Sequence, residues 1–514
     1  MIQHHASARY EQCIQRFSSL LIPGVLGVLC ATSPIAMGQA GSDESLALKV
    51  QRLTEAMSQT QKRLDESQHE LQQLRAQLAA VQQQIALSHT PVSDSSSVAQ
   101  LSAAVEQIRE QQALETTQIA THERSKVETE SKYGLKLSGL VLFTGFVNTT
   151  QVDDPVTPTL VLEGPGTTGA SLQQTVLGFD ATGPHLFDAR THADARVDFD
   201  GASLSSGTTT SYTGGLLRLR TAHAALSWDH TEASFSLDHA IVAPNTPTSL
   251  TAVAVPALAW SGNLWTWNPQ IGLTQDIAVA SVQRIRLQAA LIDVMNPPPI
   301  YGGAASSNSS NIVTPTTAEL SRWPGAEGRV AILGNPEDSG LQLGLGGLFA
   351  PHRTSSGTRF NSWAGTMDYR IPLPGRAELS GSGYWGQALG GLGGGGFKDY
   401  VFVVNPVSPP GYSFRTLDAF GGWAQLKEPA GEHIEFNAAF GTDQVPASQL
   451  RPYTGNASAY YLNLARNRTY TGNVIYRPSA YLTFSLEYRH LQSSPVNDYT
   501  ATGNIVGIAT GYRF

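Results

Sequence analysis

The chain has 514 residues, a formal net charge of −8, 49 glycines and only 14% charged residues. The acidic balance excludes a nucleic-acid binder, which needs a basic surface, and so much glycine with so little charge is unlike a large soluble enzyme. Membrane spans, if present, must be strands, because beyond residue 40 no apolar stretch is long enough to cross a bilayer as a helix.

Residues 1–40 read as an export signal. Arg9 and Arg16 lead, an apolar run extends from Leu20 to Ala31, and Gly38-Gln39-Ala40 supplies the small-residue exit for cleavage after Ala40. Pro23, Gly24 and Gly27 interrupt the run, which falls short of the roughly 20 residues of a spanning helix. Cys30 follows Leu29, where a lipid-modification signal wants a small residue, so a lipoprotein is set aside. Both cysteines, Cys13 and Cys30, leave with the signal, so the mature chain has no disulfide, thiolate nucleophile or cysteine metal site.

Residues 41–88 carry a heptad seam that starts at Leu46, Val50, Leu53 and Met57 and runs to Ile85, with Thr60 and Ser67 its two polar positions. One apolar seam on a Gln-rich helix can be buried only against partner helices, so the segment is expected to be a coiled coil. Residues 89–135 form a linker with a second helical stretch. Pro91 ends the first helix, Val98, Leu101, Val105 and Ile108 keep helical spacing, and His122 to Lys132 is charged.

From residue 136 to 514 the period changes to two. In Asp188–Asp200 every even position is charged or His and every odd position is Ala, Thr, Val or Phe, the mark of a strand with one wet and one greasy face. About sixteen such strands follow one another, the first near 136–150 and the last near 502–514. Short turns alternate with long segments at 151–169, 243–267, 293–327, 388–414 and 443–464. Loops sorted by parity distinguish an all-β transmembrane barrel of about 16 antiparallel strands from a soluble sandwich. The ending fits. Asn504 to Phe514 alternates, and a strand that closes a barrel leaves no unpaired edge.

In such a barrel the polar face of each strand lines the lumen. Arg218 and Arg220 alternate with Leu217 and Leu219, Arg284 and Arg286 flank Ile285, and Arg190 and Arg196 share one strand face. Stacked arginines in a narrow channel attract anions and offer forked contacts to carboxylate or phosphate. Alternatively Asp188, Asp194, Asp198 and Asp238 neutralise them as wall salt bridges. The Gly-rich segment Gly386–Gly396 lacks the strand, helix and Lys-Ser/Thr of a phosphate cradle and reads as a flexible loop that can fold inward. Trp228, Trp260, Trp265, Trp267, Trp363, Trp385 and Trp423 are expected in the interfacial girdles, with sugar stacking in a pore the alternative. His185, His192, His223, His230 and His239 lack metal-ligand spacing. His223, Ser227 or Ser234 could meet Asp238 in space, yet nothing local marks a nucleophile, so no enzyme, metal or cofactor is expected.

An export signal, a Gln-rich coiled coil, a link and a barrel ending in Gly511-Tyr512-Arg513-Phe514 resembles the DcaP-like outer-membrane porins and is similar in plan to phosphate-selective porins. The segment Gly215–Trp228, GLLRLRTAHAALSW, resembles the basic strand of the former group. The resemblance implies a homotrimer in the bacterial outer membrane, a periplasmic coiled coil, and an arginine-bearing constriction that passes small anionic solutes, a role carried here onto Arg218 and Arg220. The Gly-rich loop and the acidic third strand depart from that pattern and leave charge selectivity open. Two functions compete: a porin for passive diffusion of small hydrophilic solutes, and a structural tether whose stalk, about 40 residues and roughly 60 Å long at 1.5 Å per residue, contacts the cell wall. Deleting residues 41–130 separates them, because a tether loses envelope integrity while keeping conductance.

Overall fold

The computed structural model describes residues 134–201, 215–280, 283–297, 315–334, 340–405, 411–453, 463–496 and 499–514. The expected signal and coiled coil, and nearly all of the linker, lie outside these residues.

The chain forms β1 (Leu135–Asn148), β2 (Thr167–Ser171), β3 (Val176–Leu186), β4 (Ala189–Gly201), β5 (Leu216–Ser227), β6 (Thr231–His239), β7 (Trp267–Ala280), β8 (Gln283–Ile292), β9 (Gly325–Gly334) and β10 (Gln342–Arg353). It continues with β11 (Arg359–Pro372), β12 (Glu378–Gln387), β13 (Tyr400–Asn405), β14 (Gly411–Thr416), β15 (Asp418–Ala430), β16 (Ile434–Gln444), β17 (Leu464–Tyr476), β18 (Leu482–Pro495) and β19 (Ala501–Arg513). All but the β13–β14 hairpin join one antiparallel sheet, which closes where β1 pairs with β19. Thr144–Asn148 of β1 pairs with β2 and Leu135–Leu140 with β3, so β2 and β3 are two halves of one stave and the barrel has sixteen. The sequence reading places one strand over 170–181. The structure breaks it at Leu172–Thr175, where the Thr175 hydroxyl accepts the Leu142 N–H that a continuous strand would have paired.

Closure gives the chain ending its physical meaning. Gly139 and Phe514 exchange backbone hydrogen bonds at 3.0 and 3.1 Å, and a Cβ on Gly139 would sit 2.6 Å from the Phe514 ring. A side chain at position 139 would displace the Phe514 ring that crosses its face. The outward alternation is apolar, with Leu345, Ile271 and Phe235 exposed on the barrel exterior, while Thr144, Asn473 and Glu487 face inward. This is the reverse of a soluble protein and suits hydrocarbon outside and polar groups within.

Short turns such as Phe187-Asp188 and Gly431–His433 gather at one end with the start of β1 and the end of β19. At the other end the connections 149–166, 240–266, 388–417 and 445–463 are long. Three of them fold into the barrel and carry its apolar core. Leu160, Trp260, Phe397 and Leu464 cluster together, with Trp260 stacked on Phe397 at 4.2 Å between ring centres. Beside them Val242, Leu264, Leu348, Leu389 and Leu392 form a second cluster against β10, β11 and β12. Each such buried side chain stabilises the inward arrangement by about 1.5–3 kcal/mol.

Candidate functional site

The connection 240–266 sweeps round the inner wall. Its Thr248 N–H donates to Gln425 of β15 at 2.6 Å, and Asn473 of β17 donates to the Thr248 carbonyl at 2.9 Å. The Ser249 and Thr251 hydroxyls donate to the two oxygens of Glu487 on β18 at 2.5 and 2.7 Å. On the far side, Gln174 in the β2–β3 break accepts from the Val253 and Ala254 N–H groups and donates to the Thr251 carbonyl. The break therefore has a use: a regular strand would keep that side chain in the wall's own alternation. Finally Arg218 donates to the Ala254 carbonyl at 2.9 Å. The loop thus forms a strap from β18 to β5, and the sequence alone left the inward loop unassigned.

Beneath the strap the inward charges differ by sector. Arg329–Asp368 on β9 and β11 (3% and 0% exposed) and Arg489–Glu487 on β18 (6% and 1%) are buried ion pairs at 2.7 and 2.8 Å. Along β3 to β8 the ion-paired arginines stay partly exposed: Arg196, Arg218, Arg284 and Arg286 are 32%, 26%, 28% and 23% exposed, although Asp198 beside Arg218 is buried. A cavity of about 270 Å³ lies in this sector, lined by His223, Glu232, Ser234, Asp238, Gln270 and Gln288. The more accessible part of the barrel interior therefore lies along the β3–β8 wall.

The six candidate arginines all lie on β4, β5 and β8, in that wall. Most are neutralised. Arg218 forks onto Asp198, Nε to Oδ1 at 2.9 Å and Nη2 to Oδ2 at 2.7 Å. Arg196 pairs with Asp180 at 2.6 Å and Asp194 at 3.8 Å, and Arg284 and Arg286 share Asp276 at 3.2 and 2.8 Å. Asp198 and Asp194 were foreseeable partners; Asp180 and Asp276 were missed, since cross-strand register decides them. Arg190 is exposed beside the short turn at Phe187-Asp188. Arg220 is the extra residue of a β-bulge: Val197 pairs with Leu219 and Arg196 with Thr221, which skips it. Both Arg218 and Arg220 lie over the Trp267 ring, 5.2 and 5.1 Å from its centre.

Other expected residues move apart or inward. His223 sits 3.7 Å from Asp194 and 3.7 Å from Glu232, not beside Asp238, and the Ser227 hydroxyl donates to Glu232 at 2.9 Å. Trp260, Trp267 and Trp423 are buried, which corrects their placement in an interfacial girdle, because the loops that carry them, or face them, fill the barrel mouth. Trp363 and Trp385 do stack edge-on at 5.0 Å on the outward face of β11 and β12.

The Gly-rich segment folds inward and is fastened. Gly395 and Gly396 take positive φ values of 66° and 56°, which aims both N–H groups at the Asp443 carboxylate at 3.0 and 2.6 Å. Lys398 donates to the Gly396 and Leu464 carbonyls, and Asp399 accepts from Gly390 N–H. Burial pushes the Lys398 ammonium down to about 7, against the attraction of Asp443, and pushes the Asp399 carboxyl up to about 7, against its hydrogen bonds from Gly390 and Gly391. Asp399 holds its proton more tightly when folded, so its contribution is complete below pH 3.8 and is lost as pH rises to 7. Lys398 holds its proton less tightly, so its contribution is complete above pH 10.5 and is lost as pH falls to 7. Hydrogen exchange of residues 388–399 should accordingly show least protection near pH 7. Asp399→Asn should flatten the acid limb, on the order of 4 kcal/mol, and Lys398→Met the alkaline limb.

No family profile matches the chain, and no curated protein matches it in sequence. Among solved structures, the outer membrane channel DcaP of Acinetobacter baumannii superposes with a TM-score of 0.55 and 14% identity, over 76% of this chain and all of that one. The anion-selective porin from Comamonas acidovorans gives a TM-score of 0.45 and 11% identity, over 74% of this chain and all of that one. At this identity the likeness speaks for the fold, and the chain is a closed sixteen-stranded antiparallel barrel similar to that of the DcaP channel.

Proposed function

We propose that the protein is a bacterial outer-membrane porin, working as a homotrimer, through which small hydrophilic and mainly anionic solutes diffuse down their gradients. The observation that carries this reading is the contrast between sectors: the ion-paired arginines along β3 to β8 stay partly exposed, whereas Arg329 and Arg489 are buried with their carboxylates. Arg190, Arg196, Arg218, Arg220, Arg284 and Arg286 lie along that wall, and the ion pairs of Arg196, Arg218, Arg284 and Arg286 make a mixed-charge ladder that screens a moving ion without trapping it. No bond is made or broken in such transport, and the barrel's part is to hold the path open. The likeness in fold to DcaP, a protein described as an outer membrane channel, supports the same reading.

Planar-bilayer recording of the full chain tests it. Steady ohmic conductance is expected, with a reversal potential in asymmetric salt on the anion side. Arg218→Ala combined with Arg220→Ala should lower the anion preference several-fold. Folded protein that conducts nothing would sink the proposal.

A further inference from the structure

We infer that the two neighbouring arginines have separate tasks: Arg218 is a positioning residue that locks the strap, and Arg220, rather than Arg218, biases charge preference at this point of the wall. This rests on the channel reading for Arg220 and stands apart from it for Arg218. Arg218 spends Nε and Nη2 on protein. Nε and Nη2 bind Asp198, which is 0% exposed, and Nη2 also donates to the Ala254 carbonyl of the strap. Asp200 lies 3.5 Å from the same nitrogen. A guanidinium held this way is neutralised by a carboxylate that water does not reach, so it contributes little field to the path. What it contributes is geometry. It carries a charge-assisted hydrogen bond from the wall to the strap at the end opposite Glu487.

Arg220 is placed differently. The bulge leaves it without a cross-strand partner on β4, and among the described residues no carboxylate comes within ion-pair distance of it. Its guanidinium lies over the Trp267 ring, 5.1 Å away, a face that holds a cation without cancelling its charge. Asp198, Asp200 and Asp238 still act on it from beyond ion-pair distance, so Arg220 keeps more of its charge than Arg218 rather than all of it.

The two tasks separate experimentally. Arg218→Lys keeps the charge and loses the fork. It should speed hydrogen exchange at Val253 and Ala254 about tenfold to a hundredfold, as expected for losing one charge-assisted bond, and raise open-channel noise, with the reversal potential unmoved. Asp198→Asn should speed the same exchange. Arg220→Gln should reduce the anion-to-cation permeability ratio several-fold with exchange at 251–254 unchanged, and Arg220→Lys should restore the ratio. Wild-type exchange in both Arg218→Lys and Asp198→Asn overturns the lock. A wild-type reversal potential in Arg220→Gln overturns its role in preference. If the wild-type protein does not conduct at all, the channel reading fails, while the exchange measurement still decides the lock.

Discussion

Asp443→Ala is expected to destabilise the barrel mouth by about 3–5 kcal/mol and to open residues 388–399 to proteolysis. Asp443 is completely buried and accepts from the Tyr384 hydroxyl at 2.6 Å and from the Gly395 and Gly396 N–H groups. Removing it strands three donors at once and leaves the buried Lys398 ammonium without its nearby negative charge. Deleting one side of a buried charged network costs that much because the remaining partners are cut off from water. Asp443→Asn preserves the shape and one or two of the bonds, so it should lose well under half as much. The measurement is the urea midpoint of the folded barrel in detergent, with cleavage mapped in the Gly-rich loop. An unchanged midpoint and an intact loop in Asp443→Ala would show that the fastening lies elsewhere, in the apolar cluster around Trp260 and Phe397.

The second large effect is expected at the opposite end of the strap. Glu487 accepts from Ser249, Thr251 and Asn473 and forms an ion pair with Arg489 at 2.8 Å, all in a buried setting. Glu487→Ala should cost about 3–5 kcal/mol, since Arg489 becomes a buried unpaired cation. It should also release residues 249–251 from the wall, seen as larger and noisier unitary currents. Glu487→Gln, which can still accept one hydroxyl, should fall between wild type and Ala in both readouts. A double-mutant cycle with Arg489→Met isolates the pair. If Glu487→Ala lowers stability without altering the currents, the strap is held by Gln425 and Asn473 and the path is bounded by something else.

These two sites explain why the fold could be read from the sequence further than the site could. Alternation is local. Each residue from Asp188 to Asp200 declares its side by type, because one face meets hydrocarbon and the other meets water or polar groups. The sixteen staves, the parity of the loops and the closing role of Phe514 all follow from that rule. Where the rule was suspended, the reading failed. The strand broken at Leu172–Thr175 looks continuous in sequence, and its purpose is visible only where Gln174 meets Thr251, Val253 and Ala254, some 80 residues later. The tryptophans misled for a related reason. A Trp beside a strand end fits either an interface girdle or a buried loop, and only the inward fold of 240–266 decides for Trp260 and Trp267.

The sequence by itself determined the barrel, an approximate strand number and the set of arginines on its polar faces, because those depend on a period of two that each strand carries alone. Tertiary structure decided which arginine forks onto a carboxylate and the strap and which has no carboxylate at ion-pair distance. That depends on cross-strand register: one bulged residue in β5 puts Arg218 opposite Asp198 and leaves Arg220 on the Trp267 ring. A shift of one residue changes no composition and no periodicity over the strand as a whole, yet it decides which charges cancel.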